Sequence, residues 1–82
     1  MSYEKVLQAK QFVVGTKQTV RALKEGKAQE VILAEDADSA IINKIMEAAK
    51  EANVPVTKVD SMKKLGKACK IQVGAAAVAI IR

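Results

Sequence analysis

The sequence predicts an α/β protein, a three-layer α/β/α sandwich around a small, mixed, four-stranded sheet. Three observations predict it. Helical periodicity alternates with short apolar runs along the whole chain, the pattern of helices packed on both faces of one sheet. The runs Val31-Ile32-Leu33 and Val78-Ala79-Ile80-Ile81 lack polar alternation, as strands covered on both sides do. Alanine dominates residues 75–79, which lets helices lie close to the sheet. Eighty-two residues, half of them hydrophobic, make one domain spanning residues 1–82.

The elements follow in order. Ser2 to Lys10 reads as a first helix, with Tyr3, Val6, Leu7 and the stem of Lys10 on its inner face. Phe12-Val13-Val14 is a short strand that stops at Gly15. A second helix runs from Lys17 to Glu25, capped by Thr16 and closed by Gly26, a natural residue just past a helix end. Glu30 to Ala34 is a buried strand, followed by the acidic loop Glu35-Asp36-Ala37-Asp38. Ser39 caps a third helix, whose inner face is Ile42, Ile45, Met46 and Ala49. Asn53-Val54-Pro55 ends it, and Val56 to Val59 is the next strand. Ser61 caps a fourth helix with an apolar stripe of Met62, Leu65 and Cys69. Gly66 inside that helix costs roughly 1 kcal/mol against alanine, which implies close approach by another backbone, protein or nucleic acid. The loop Ile71-Gln72-Val73-Gly74 leads to a last strand, Ala75 to Ile81.

Composition removes several classes of function. Tyr3 and Phe12 are the only aromatics, so an aromatic base-stacking platform is unavailable. Histidine is absent and Cys69 is alone, which excludes an internal disulfide and a Cys/His zinc site. Cys69 sits on an apolar stripe and reads as a packed core thiol. Asp36 and Asp38 read as loop and cap residues, because nothing else completes an acid/base or metal site. The N-terminus has no apolar leader, and the run from Ala75 to Ile81 is far below the roughly 20 residues that span a bilayer. The expectation is a soluble, cytoplasmic monomer with no cofactor.

Charge is uneven. Residues 1–57 carry eight basic and eight acidic side chains, whereas residues 58–82 carry six basic ones against Asp60 alone. The entire net charge of +5 therefore lies in the last third. A polyanionic partner explains this, and so does a solvated, lysine-rich fourth helix.

The corner at Gly15 carries the chemistry. A glycine between strand and helix lets a ligand backbone come close. The first helical turn adds unpaired N–H groups and the positive end of a dipole. Lys17, Gln18 and Arg21 project from it as donors, which suits phosphates or acceptor-rich base edges. The corner has no nucleophile and base, and Gly15-Thr16-Lys17 lacks the GxxxxGK[ST] spacing of a phosphate loop, so no enzymatic activity is expected. An ordinary strand–helix turn is the competing reading.

Four ordered segments make a resemblance specific: Gly15-Thr16-Lys17-Gln18-Thr19-Val20-Arg21 with Leu23 and Gly26, Ala34 to Asp38, Val54-Pro55-Val56 with Ser61 to Ala68, and Ile71 to Ile80. Across nearly the whole chain the sequence resembles the L-seven-Ae ribosomal-protein family, in its short bacterial, YbxF-like branch. The resemblance implies an α/β/α sandwich that binds kink-turn RNA, a bent internal loop with tandem sheared G·A pairs and a flipped-out nucleotide. By position, Gly15, Thr16, Lys17, Gln18 and Arg21 would meet the G·A pairs, and Asp38 and Ile42 would lie near the flipped-out nucleotide. Ile71, Gln72, Val73, Gly74 and Ala75 would cover that base. Lys63, Lys64 and Lys67 would attract the RNA backbone less specifically. Relatives commonly carry Asn-Glu in place of Lys17-Gln18, lysine in place of Arg21 and of Met62, and glycine in place of Lys70. The function expected is stabilisation of kink-turn RNA. A ribosome-associated module that binds rRNA non-specifically is the alternative, and a nucleotide-binding enzyme built on the Gly15 corner is a third.

Overall fold

The computed structural model of the chain describes residues 3–82, with side chains from Lys5 onward. The predicted start at Ser2 and the inward Tyr3 side chain lie outside these. The described residues form α1 (Tyr3–Gln8), β1 (Phe12–Val14), α2 (Thr16–Lys24), β2 (Ala28–Ala34), α3 (Ser39–Ala52), β3 (Val56–Val59), α4 (Met62–Ala68) and β4 (Ala77–Ile81). The strands join in one sheet of order β1-β4-β2-β3. β2 and β3 are parallel, whereas β4 is antiparallel to both β1 and β2, so the sheet is mixed.

Side chains alternate across the sheet and divide the interior into two cores. Val31, Leu33, Ala77 and Ala79 pack with Val20 and Leu23 of α2 and Ile45 and Ala49 of α3. Ile32, Ala34, Val78 and Ile80 pack on the other face with Val6 of α1 and Leu65 and Cys69 of α4. The result is the expected three-layer sandwich. Alanine at 77 and 79 is what gives α2 and α3 room on their face.

Several expected details differ. Leu7 is 60% exposed, while Val6 is buried and Ala9 packs beside it. Lys10 falls beyond α1 and is exposed. Met46 is 38% exposed. Both apolar side chains sit one residue, about 100°, past the residue that faces the core, Val6 or Ile45. The third helix instead buries a stripe rotated toward Ile41, Ala48 and Ala52. β2 starts at Ala28, two residues early, with a register shift between Ala28 and Glu30. β4 starts at Ala77 because Ala75 donates its N–H to the Met62 carbonyl (3.0 Å) and is drawn to α4.

Helix starts are also reassigned. Thr16 is the first residue of α2 and makes no capping bond; Gly15 occupies the cap. Ser39 is likewise inside α3, and Asp38 is the cap, its Oδ1 accepting from the Ala40 N–H at 2.9 Å. Ser61 caps α4 as expected, accepting from the Lys64 N–H. α2, α3 and α4 end alike, with Gly26, Asn53 and Lys70 in the left-handed region at φ 71°, 56° and 63°. In each, the next N–H closes back onto the helix: Lys27 to Ala22, Val54 to Ala49, and Ile71 to Gly66.

Candidate nucleic-acid interface

Topology delivers four loops to one end of the sheet. β2 and β3 finish there because they are parallel. β4 begins there, and β1, antiparallel to β4, ends there. Backbone bonds tie this end together: Gly15 N–H to the Ala77 carbonyl at 2.8 Å, Ala34 N–H to Ala76 at 2.9 Å, and Glu35 N–H to Val59 at 2.7 Å. α2, α3 and α4 follow β1, β2 and β3 closely, so all three start at this end. Their first-turn N–H groups and positive dipole ends point the same way, with the N–H groups of Ala40, Met62 and Lys64 taken by Asp38, Asp36 and Ser61.

Gly15 has φ 105° and ψ 157°, a conformation closed to residues with a Cβ. A Cβ there would meet nothing within 4 Å, so the space beyond it is open. Lys17, Gln18 and Arg21 are exposed, whereas Thr19 and Val20 are buried. Gln18 and Arg21 are three residues apart, and Lys17 and Arg21 four, so one helix face presents all three. Arg21 Nε also lies 3.4 Å from Glu25 Oε2.

Loop residues complete the end. Asp38 is engaged as the α3 cap, and Ile42 is half-buried against the core under α2 and α3. Asp36 Oδ1 accepts the Met62 N–H at 2.8 Å and so fixes the start of α4. The sequence identified both aspartates as loop and cap residues. It carried no signal of which helix Asp36 serves, because that partner lies 26 residues away.

After Lys70 the chain doubles back along α4. A Cβ on Gly66 would collide with the Val73 carbonyl oxygen, so the backbone that this glycine admits is the protein's own. Gly74 is in closer than ordinary contact with Met62, where a Cβ would lie 3.3 Å from the Met62 Cβ without colliding. The loop thereby holds Ile71 half-buried and Ala75 buried, while Gln72 and Gly74 are exposed and Val73 is 71% exposed. Val73 is thus an apolar tip on a backbone anchored at both ends. Lys63, Lys64 and Lys67 are exposed on α4, with Lys64 Nζ 3.1 Å from Asp60 Oδ2. Lys67 is set apart, about 7.5 Å along the helix axis from Met62.

The site is therefore a set of N–H donors, cations and one apolar tip, suited to an acceptor-rich, anionic ligand. Burial pushes the Cys69 thiol up from its ordinary pKa, as for a packed thiol. Among the described residues, no cluster of three or more His, Cys, Asp or Glu could hold a metal ion. No helix among them is long and apolar enough to cross a membrane.

Comparison with known proteins gives the family and the fold. Residues 2–82 match the family described as the Ribosomal protein L7Ae/L30e/S12e/Gadd45 family. The chain is similar to an RNA-binding protein of Geobacillus sp. (strain WCH70), 89% identical over the full length of both. It is also similar to the RNA-binding protein YbxF of Geobacillus stearothermophilus, 80% identical over the full length of both. Among solved structures, the Giardia lamblia 15.5kD RNA binding protein superimposes with a TM-score of 0.83 at 29% identity, over 98% of this chain and 67% of that one.

Proposed function

Because the chain belongs to the L7Ae/L30e/S12e/Gadd45 family of ribosomal proteins, we propose that it binds RNA and selects the kink-turn, stabilising its bent form. The observation that carries this reading is the convergence of the Gly15 corner, the start of α3 and the Val73 loop at one end of the sheet. Relatives named as RNA-binding proteins support the broader part of it. Lys17, Gln18 and Arg21 read base edges and nearby phosphates of the sheared G·A pairs. Gln18 is neutral, and its carbonyl can accept from a guanine amino group while its amide donates. Asp38 and Ile42 lie beside the extruded nucleotide, and the segment from Ile71 to Ala75 shields it, with Val73 as the contact surface. Lys63, Lys64 and Lys67 add attraction to phosphates that carries no sequence information. No step of this function breaks or makes a covalent bond.

The test is an RNA whose tandem G·A pairs are replaced by Watson–Crick pairs at constant length and charge. Binding should fall by tenfold or more, on the order of one lost base-edge contact. Equal affinity for both RNAs at the same salt overturns the kink-turn reading. It would favour the ribosome-associated alternative, in which the lysines of α4 contact rRNA generically.

A further inference from the structure

A groove runs beside α2, away from the Gly15 corner. One wall is the outer edge of β1 and the other is the flank of α2; the turn at Gly26 and the end of β4 close its far side. β1 is the terminal strand of the sheet, so this edge has no strand partner among the described residues. Gln11 and Gly15 turn their backbones toward β4, accepting from Ile81 and donating to Ala77. By the alternation of an antiparallel pair, Phe12 and Val14 turn their N–H groups outward.

Four cations line the groove, Lys10, Arg21, Lys27 and Arg82, against one carboxylate, Glu25. That carboxylate is already engaged, 3.4 Å from Arg21 Nε and 3.5 Å from Lys27 Nζ. The groove therefore keeps a net positive charge along its length. Gln18 and Arg21 belong to both the groove and the corner, so the two surfaces are continuous. From Gln18 to Lys24, the last residue of α2, this wall of the groove follows about 9 Å of helix axis.

We propose that this groove carries the phosphate backbone of the RNA stem leaving the kink-turn at the Gly15 corner, an inference that rests on the function proposed above. A stem presents evenly spaced anions that only accept hydrogen bonds, and the groove offers four cations and, on Phe12, one outward N–H beside its carbonyl. A protein strand added to the same edge is a poorer occupant. β1 has three residues and presents two outward backbones, too few to hold a strand by pairing.

The experiment uses a kink-turn RNA with short stems and versions in which each stem in turn is extended by one helical turn. For the wild-type protein, one of the two extensions should tighten binding about tenfold and steepen its salt dependence. The double variant Lys10→Glu/Lys27→Glu should lose that gain while binding the short-stem RNA as well as wild type. Lys10→Gln/Lys27→Gln should lose part of it, with a salt slope shallower by about one unit for each lost phosphate contact. Both positions are exposed side chains, and the Gln pair gives the reading if the charge-reversed protein does not fold. The proposal is overturned if neither extension affects wild-type binding, or if the variants lose short and long stems equally. It is also overturned if the variants keep all RNA binding, which would leave the groove to an acidic protein. Failure of the kink-turn reading is seen separately, as a short-stem RNA that binds no better than its Watson–Crick-paired control.

Discussion

Single atoms set some of the sharpest expectations. Thr19 is fully buried, and its Oγ1 has no hydrogen-bond partner among the described residues. A desolvated hydroxyl left unpaired costs about 1–3 kcal/mol, and valine has the same branched shape without it. Thr19→Val should therefore raise stability by about 1 kcal/mol, a shift of several degrees in Tm for a chain of this size. A thermal melt in which the variant is less stable than wild type would mean that the hydroxyl is satisfied after all. One residue earlier, exposed Gln18 tests the functional reading. Gln18→Ala should cost about 1–3 kcal/mol on a kink-turn and leave the salt slope nearly unchanged, because a neutral amide acts through directional bonds. Lys67→Ala should do the opposite, weakening kinked and straight RNA alike with a shallower slope. Titration of both variants over a salt series separates the two; a Gln18→Ala protein that binds the kink-turn normally has lost no base reader.

At the level of elements, α4 and its loop behave as one unit. Gly66 is a poor helix residue, and Gly66→Ala would gain about 1 kcal/mol from propensity alone. The added methyl would meet the backbone of Val73 and Gly74, which cannot swing aside as a side chain can. The variant should therefore be less stable than wild type, and it should bind kink-turn RNA more weakly because the Val73 tip is displaced. A more stable Gly66→Ala would mean that the loop does not lean on α4. Lys70 makes the converse case. It holds φ 63°, a conformation that costs a side-chain-bearing residue about 1 kcal/mol or more. Lys70→Gly should stabilise the fold by about that amount in denaturant unfolding, with little change in the Val73 loop. Such features divide what a sequence discloses from what it hides. Gly26 and Ser61 announced a helix end and a helix start through residue type alone, because those roles depend on local chemistry. Asp38 and Ser39 could each cap α3, and their order was decided by one residue of backbone path. Leu7 differs because the six-residue α1 leaves its inner direction uncertain by one residue, about 100°, and Met46 differs because the buried stripe of α3 is rotated toward Ile41, Ala48 and Ala52.

For the molecule as a whole, the layers were legible because apolar strands with helical stripes between them have few ways to pack. The strand order was not, since it rests on pairings such as Val31 with Ala79 that join residues far apart in the chain. The candidate site was legible as residues but not as a place: only the sheet topology brings the Gly15 corner and the Val73 loop to one end. One long-range tie reaches across this architecture. Glu30 of β2 accepts from Lys5 Nζ of α1 at 2.8 Å and from Thr57 Oγ1 of β3 at 2.6 Å. Partial burial acts to raise its pKa, but the hydrogen bonds from Lys5 and Thr57 and the Lys5 charge outweigh it and hold the carboxyl below its ordinary value. A carboxylate depressed in the folded state stabilises the protein above the unfolded pKa, about 4.3, and that contribution is lost as pH falls through the folded value. Glu30→Gln keeps the shape but removes the charge that Lys5 faces. The variant should melt below wild type at pH 7, and the gap should close as pH drops below about 4, where the wild-type carboxyl takes up its proton. A gap that stays constant down to acid pH would show that Glu30 acts through packing, and that α1 and β3 are held to β2 without help from its charge.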